Sequence, residues 1–256
     1  MKLAILGGAG RMGQHLLACA KTMGLNVVAV TEAPQNPLIG KPATSGLFYQ
    51  STWPVAADTV IDFTFHTCVK ENLAHAVRYH QAYVLGTTGL TEEELAAVDA
   101  AAKEIPICFA PNFSLGVNLL LELVKRAASV LDESYDIELV EMHHRLKKDA
   151  PSGTALGLAQ AAADGRQVAL DQVACYGRHG IVGERPVGEI GIHALRGGSV
   201  VGDHTVLFAA DEERVELTHK ASSRAVFAKG ALKAAAWLQG KPAGRYTMRH
   251  VLGFAE

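Results

Sequence analysis

Cysteine is scarce in this chain: four residues in 256, Cys19, Cys68, Cys108 and Cys175, with no C-x-x-C pair among them. That excludes the disulfide framework of a small secreted domain and leaves reduced thiols in a cytoplasm as the reading. An excess of charge of one sign is also missing. With 24 Lys and Arg against 26 Asp and Glu, the formal net charge is −2, which gives no electrostatic reason to expect nucleic acid or a membrane surface as partner. The one basic run, 145–148, is too short to change this. No window supplies the roughly 18 uncharged apolar residues of a spanning helix. Leu16-Leu17-Ala18-Cys19 superficially resembles a lipoprotein cleavage site, but Gly7, Gly8, Gly10, Arg11, Gln14 and His15 interrupt any apolar signal core before it, so a soluble chain is expected. There is no H-E-x-x-H, no G-x-S-x-G, no internal repeat and no low-complexity linker, so zinc-protease and serine-hydrolase signatures are absent. What is abundant is apolar residue, 49% against 20% charged. That is enough for a sizeable core in one large domain or two modest ones.

The first half alternates short apolar runs with helical patterns. The run 3–6 leads directly into Gly7-Gly8-Ala9-Gly10-Arg11-Met12-Gly13, in which Gly8, Gly10 and Gly13 fit G-x-G-x-x-G. A helix over 11–23 stops near Gly24, a second strand covers 26–31, and Glu32 ends it, about 20 residues beyond the glycines, as in a dinucleotide-binding βαβ unit. The glycines allow close backbone approach to a pyrophosphate, the helix N-terminus faces its charge, and Glu32 can accept from a ribose hydroxyl. Residues 33–50, with three prolines and two glycines, are predicted as a loop. Strands follow at 60–63, 82–85 and 105–110. Helices are predicted at 68–80 and from Thr91, whose Glu94 completes a capping box, to about 103. This predicts a doubly wound parallel sheet with ligands beyond its carboxyl ends, where the glycine loop, Glu32, Thr64, Gly86-Thr87-Thr88-Gly89 and Pro111-Asn112-Phe113-Ser114 all fall.

The second half reads differently. An apolar helix at 116–131 links the halves, a strand is predicted over 136–144 and a small-residue helix over 154–163. Extended runs then follow at 173–176, 189–195, 201–209 and 215–219, with 196–199 and 211–214 as hairpin turns. An α+β unit on an open, mixed or mostly antiparallel sheet is expected, with a face or edge that invites self-association. A last helix, 224–239, with Val226, Phe227, Ala231, Ala234, Trp237 and Leu238 on one side, is expected to return to the first domain. The boundaries read from this are 1–114 plus 224–256 for dinucleotide binding and 115–223 for substrate binding and oligomerisation.

Chemistry concentrates at 141–154, E-M-H-H-R-L-K-K-D-A-P-S-G-T. Strand alternation puts Ile137, Leu139, Glu141 and His143 on one face. Asp149-Ala150-Pro151 supplies a capping candidate and a preset φ for the helix that follows, whose first amides, from Ser152, Gly153 and Thr154, suit an anion. His143 and His144 face opposite ways, so they do not chelate one ion, and no metal is expected. Glu141 lies close enough to orient His143 or to raise its pKa. Lys148 reads as a solvated charge, and Arg196 in its glycine-rich segment reads as a turn residue.

The run E-x-H-H-x-x-K-x-D-A-P-S-G-T resembles the signature of the 4-hydroxy-tetrahydrodipicolinate (dihydrodipicolinate) reductase family. The resemblance extends through the glycine loop, Glu32, Gly86-Thr87-Thr88-Gly89, Asn112-Phe113-Ser114 and Thr218-His219-Lys220-Ala221-Ser222-Ser223-Arg224. It implies hydride transfer from NAD(P)H to a cyclic unsaturated dicarboxylate in lysine and diaminopimelate biosynthesis, by a cytoplasmic homotetramer. It places the catalytic proton donor on His143, a second one on Lys147, and substrate contacts on His144, Gly153 and Thr154. Gly7, Gly8, Ala9, Gly10, Arg11 and Met12 would hold the pyrophosphate and Glu32 the adenosine ribose. Gly86, Thr87, Thr88, Ala110, Pro111, Asn112 and Phe113 would hold the nicotinamide half. Two other classes fit the fold: a different NAD(P)-dependent amino-acid dehydrogenase, and a non-catalytic dinucleotide sensor that has no need of His143 or Lys147. For the cofactor, NADH is expected over NADPH. Glu32 is followed by Ala33, Pro34, Gln35 and Asn36 with no base before Lys41, and a carboxylate without a local cation repels a 2′-phosphate.

Overall fold

The structure, a computed structural model, describes residues 1–44 and 46–254. Ser45 of the expected 33–50 loop and the last two positions of the expected terminal segment lie outside the described residues. In chain order the elements are β1 (Lys2–Leu6), α1 (Arg11–Thr22), β2 (Asn26–Thr31), β3 (Pro42–Thr44), β4 (Leu47–Gln50), β5 (Thr59–Asp62), α2 (Val69–Arg78), β6 (Ala82–Leu85), α3 (Glu92–Ala101), β7 (Pro106–Phe109) and α4 (Leu115–Val130). They continue with β8 (Asp136–His143), α5 (Gly153–Arg166), α6 (Leu170–Val173), β9 (Ala174–Cys175), β10 (Ile190–Arg196), β11 (Gly202–Ala209), β12 (Arg214–Ala221), α7 (Ala225–Trp237), β13 (Gly244–Tyr246) and α8 (Met248–Leu252). The chain divides into two compact units, one of residues 1–115 and 224–256 and the other of residues 116–223.

In the first unit the sheet order is β13-β7-β6-β5-β1-β2-β4-β3. All of its pairings are parallel except the terminal β3–β4 pair. Strict alternation along β1 sorts the two faces. Leu3 and Ile5 join Leu16 and Ala20 of α1 and Ala231 and Leu232 of α7, whereas Ala4 and Leu6 join Leu73 of α2 and Val98 of α3. Strands covered on both faces read as continuous apolar runs, and these do. The α3 start carries the expected capping box, Thr91 Oγ1 accepting from Glu94 N and Glu94 returning the bond to Thr91 N.

Residues 33–50 are not wholly loop. β3 and β4 add a two-stranded edge, with Val30 and Thr31 of β2 registered on Tyr49 and Gln50. The prolines and glycines that suggested a loop sit in the connections and at the sheet border, where a strand tolerates them. The face expected of α7 is met in part: Ala231, Ala234 and Leu238 are buried, with Ala228, Leu232 and Ala235 beside them, while Val226, Phe227 and Trp237 are only half-buried. Close approach favours the small residues. A Cβ on Gly230 would lie 1.7 Å from the Phe113 carbonyl oxygen, so glycine lets the helix rest directly on the 111–114 turn.

The second unit has a mixed sheet of order β12-β11-β8-β10-β9. β8 and β10 run parallel, and β11 is antiparallel to both β8 and β12. Its inner face (Ile137, Leu139, Ile190, Ile192, Val206 and Phe208) packs under Leu120 and Val124 of α4 and the small residues of α5. Residues 211–214 lie in a true hairpin, since β11 and β12 are paired from Ala209↔Arg214 onward. Residues 196–199 are not a hairpin turn, because β8 lies between β10 and β11. The chain there crosses the end of β8, with Gly197 N donating to His143 O at 2.9 Å and Arg145 N to Gly198 O at 3.3 Å. A turn-like composition is needed for either path, so composition could not separate them.

Candidate functional site

The first unit holds a groove of about 650 Å³ at the carboxyl ends of β1, β2 and β5, where the strand order reverses and where open α/β sheets bind ligands. Gly7 has φ +68°, and its N–H and that of Gly8 both donate to Thr31 O, folding the loop back on β2. A Cβ at Gly8 would fall 2.1 Å from Val30 Cγ1, and one at Gly13 2.3 Å from Gly7 O. The glycine pattern is thus imposed by backbone proximity, and it leaves a cradle beside the N-terminus of α1. Arg11 is exposed and Met12 half-buried at that terminus. Glu32 accepts from Ala9 N at 2.7 Å and from Asn36 Nδ2 at 3.1 Å, so its carboxylate closes one end of the cradle. Among the described residues lining the groove none is lysine or arginine, while Glu32 and Glu71 are both there. Trp53 and His75, which no sequence motif marked, stack at 4.9 Å on its wall.

Three adjacent strands end side by side here: β5 before Thr64, and β6 and β7 before the turns named for the nicotinamide half. Asp62, at the end of β5 and wholly buried, organises two of these ends. It accepts from Thr64 N (2.8 Å), Thr64 Oγ1 (2.7 Å), Asn72 Nδ2 (2.9 Å), Thr87 Oγ1 (3.1 Å) and the Tyr83 hydroxyl. Burial and then the Asp62 charge hold the Tyr83 hydroxyl well above its ordinary pKa, so it remains a donor. Thr87 is therefore an internal brace, whereas Thr88 is exposed. Gly86 must be glycine, because a Cβ would lie 2.3 Å from the Phe63 ring. Phe63 in turn meets the buried Phe113 at 5.7 Å. Ala110 is buried, Pro111 is exposed, and Asn112 Oδ1 accepts from Ser114 N.

In the second unit the strand alternation holds along all of β8: Ile137, Leu139, Glu141 and His143 are buried, and the residues between them are half-buried. His143 Nδ1 lies 2.6 Å from Glu141 Oε2. Glu141, 0% exposed, also accepts a two-pronged contact from Arg196, Nη1 to Oε2 and Nη2 to Oε1, each 2.8 Å. It takes a further bond from Ser152 N at 3.0 Å. Ser152, not Asp149, caps α5: its Oγ accepts from Ala155 N at 3.1 Å. Pro151 precedes the cap, and Asp149 is drawn instead to Lys147 Nζ at 2.9 Å. The Ser152 amide is thus spent on Glu141, while Gly153 is exposed and Thr154 half-buried in the first turn of α5. His144 follows β8, half-buried, and Lys148 is exposed.

Arg196 is the residue most misjudged from sequence. It was read as a turn residue, yet it also donates to Asp149 O at 2.7 Å and so ties β8, β10 and the 149–152 segment together. The parallel register that sets Arg196 opposite His143 places it there. His204, registered on Glu141 from β11, was likewise unmarked. It is buried, sits edge-on to His143 at 5.1 Å, and bonds Ser152 Oγ through Nε2 at 3.1 Å. Burial, and then His143, push its pKa down to about 4, so it stays neutral near pH 7. Burial also pushes the Glu141 carboxyl up, but Arg196, His143 and the Ser152 N–H outweigh that and leave it below the usual carboxylate range. Lys147 lowers Asp149 in the same way. A Cβ on Gly202 would lie 2.9 Å from His143 Nε2, so the backbone of β11 leaves room at that nitrogen. Among the described residues no cluster of metal-ligand type occurs, and no helix is long and apolar enough to cross a membrane.

Comparison with known proteins covers both units. Residues 1–113 match the family description "Dihydrodipicolinate reductase, N-terminus" and residues 116–252 match "Dihydrodipicolinate reductase, C-terminus". A 4-hydroxy-tetrahydrodipicolinate reductase of Anaeromyxobacter dehalogenans is 46% identical over 98% of this chain and 97% of its own. One from Rhodopseudomonas palustris is 45% identical over 100% and 98%. Among solved structures, the dipicolinate-bound dihydrodipicolinate reductase from Paenisporosarcina sp. TG-14 superposes with a TM-score of 0.79 at 25% identity, covering 96% of this chain and 97% of that one.

Proposed function

The chain belongs to the dihydrodipicolinate reductase family, and from that premise we propose how its residues divide the work. It is an NAD(P)H-dependent oxidoreductase that reduces 4-hydroxy-tetrahydrodipicolinate to tetrahydrodipicolinate in the diaminopimelate route of lysine biosynthesis. The observation that carries the assignment of residues is the 2.6 Å contact of a buried carboxylate with His143 Nδ1 inside the signature segment. A nucleotide sensor has no use for that arrangement.

The groove of the first unit fits a dinucleotide: its glycines let the loop pack against β2 and the start of α1 where a Cβ would collide, and it opens at a helix N-terminus. Residues 7–12 are assigned to the pyrophosphate, Glu32 to the adenosine ribose, and Gly86, Thr87, Thr88 and residues 110–113 to the nicotinamide half. Bound there, the reduced nicotinamide supplies the hydride. Because an ionised carboxylate only accepts, Glu141 fixes the proton of His143 on Nδ1 and leaves Nε2 as the nitrogen that exchanges a proton with substrate. His143 delivers that proton to the enamine-like carbon of the cyclic substrate. Lys147 acts as second proton donor, exchanging Asp149 for a substrate carboxylate. His144 and the first-turn backbone of α5 at Gly153 and Thr154 hold the dicarboxylate. The absence of any lysine or arginine among the described groove residues, with Glu32 at the ribose position, supports NADH as the preferred donor.

The outer face of the mixed sheet carries half-exposed Leu195 beside Met142 and Val140, which supports assembly through that sheet into a homotetramer of a cytoplasmic enzyme. Light scattering at micromolar concentration should return about four times 27.2 kDa, and a stable monomer would refute the assembly. The function itself is tested by oxidation of NADH in the presence of freshly generated dihydrodipicolinate. No turnover by folded protein would refute it.

A further inference from the structure

We infer that Glu141 and Arg196 are positioning residues that act on His143 in opposition, Glu141 fixing its tautomer and favouring its protonated form, Arg196 sharing the carboxylate's charge so that His143 can release the proton. This deepens the assignment of His143 as proton donor and rests on it.

The two partners reach the imidazole by separate routes. Glu141 is on the same strand face, two residues back, and its Oε2 sits 2.6 Å from Nδ1. Arg196 arrives at the end of β10, in register with His143, and clamps both oxygens of the same carboxylate. An unshared buried carboxylate at this distance would strongly favour the imidazolium, and a histidine that cannot lose its proton is a poor donor. A guanidinium across the carboxylate weakens that hold without competing for Nδ1. Leaving Glu141 buried with no cation would also be costly, so the fork serves the charge as well as the ring.

Other groups facing His143 come from three elements. His204 of β11 is edge-on and neutral, Lys147 and Asp149 follow β8 as an ion pair, and Ser152 at the start of α5 bonds both Glu141 and His204. None of these offers Nδ1 a second anion. Arg196 also holds Asp149 O, and Glu141 holds Ser152 N. One ion pair therefore anchors both the proton donor and the helix start that follows the signature.

A plain structural clamp and this arrangement differ in sign. Removing either half of a clamp loosens His143 in the same way. Removing halves of an opposed pair moves its proton affinity in opposite directions. The experiment is a histidine-labelled NMR titration of His143 in the full-length protein, alongside the pH profile of kcat with saturating NADH. Glu141→Gln should lower the His143 pKa, and with it the alkaline limb along which a proton donor loses its activity, by about one unit, and Arg196→Gln should raise both by about one unit. Arg196→Lys, which keeps a charge but not the fork, should give a smaller shift of the same sign as Arg196→Gln, and it stands in if the glutamine variant does not fold. Shifts of the same sign, or none, in folded variants would overturn the proposal. Near-normal turnover by His143→Ala would instead overturn the assignment of His143 itself, and the titration would still report on the pair.

Discussion

Asp62 and Glu141 are both wholly buried carboxylates near the end of a strand, one in each unit, and each gathers several hydrogen bonds. Their partners differ in kind. Asp62 is surrounded by neutral donors: a backbone amide, two threonine hydroxyls, an asparagine amide and a tyrosine whose proton is held firmly. Glu141 is held by a fixed cation, an amide and an imidazole. The first arrangement gives nothing up as pH or ligand changes, so it serves to hold turns in place. The second includes an imidazole, which can both take up and release a proton, so it can take part in a reaction. Burial alone does not mark a functional carboxylate; the nature of its donors does.

This contrast breaks most visibly at His143, which Glu141 holds, and at Lys147 in the same signature segment. His143→Ala and Lys147→Ala are each expected to lower kcat by about 10²–10⁴-fold with dinucleotide binding little changed, measured by steady-state and stopped-flow kinetics. If both retain near-normal kcat, the Glu141 cluster is no more chemical than the Asp62 one.

Acid stability sharpens the comparison next. His204 has its pKa pushed from an ordinary value near 6.5 to about 4. A depressed value means that its contribution is intact above about pH 6.5 and is withdrawn as pH falls toward 4, a loss on the order of 3 kcal/mol. His219, lowered by its own burial, acts in the same direction. Glu138, where Arg178, His193 and Arg185 overcome the effect of burial and hold the carboxyl near 2, adds its loss only below about pH 4.5. Urea unfolding between pH 7 and 4.5 should therefore show a slope that His204→Phe flattens. An unchanged slope in that variant would remove His204 as its source.

Asp62→Asn comes third. Its amide would face donors such as the Tyr83 hydroxyl and Asn72 that now have an acceptor, costing about 1–3 kcal/mol of stability. KM for the dinucleotide should rise while the pH profile of kcat stays where it was. A shifted profile would erase the distinction between the two carboxylates. The smallest effect concerns Glu32, where kcat/KM should favour NADH over NADPH on the order of tenfold, about 1.4 kcal/mol. Equal or reversed values would show that a distant cation such as Arg11 or Lys41 reaches the 2′-phosphate.

Much of this was legible in one dimension because local periodicity and local chemistry coincide. Residues 26–31 and 82–85 were bounded correctly as strands because each is an apolar run between turn residues. Thr91 with Glu94 identified a helix start because a capping box is satisfied within four residues. The face shared by Glu141 and His143 followed from the two-residue repeat of a strand. Errors appeared where a residue's partner lay far along the chain. The 33–50 segment supplies an edge only because β2 was there to pair with it. The cap of α5 is the local exception: Ser152 takes the place expected of Asp149, which Lys147 holds.

By itself, then, the sequence determined most of the elements, the change from a parallel α/β part to a mixed-sheet part, the glycine loop and the signature that holds His143 and Lys147, since all of these rest on spacings of a few residues. Tertiary structure decided which groups share a charge. Arg196 lies 55 residues from Glu141, and only the insertion of β8 between β10 and β11 brings the guanidinium to that carboxylate. Asp62 likewise ends an ordinary apolar run, and only parallel neighbours deliver Tyr83 and Thr87 to it. Strand order is set by how sheets bury their faces as a whole, and no local pattern encodes which strand will lie beside which.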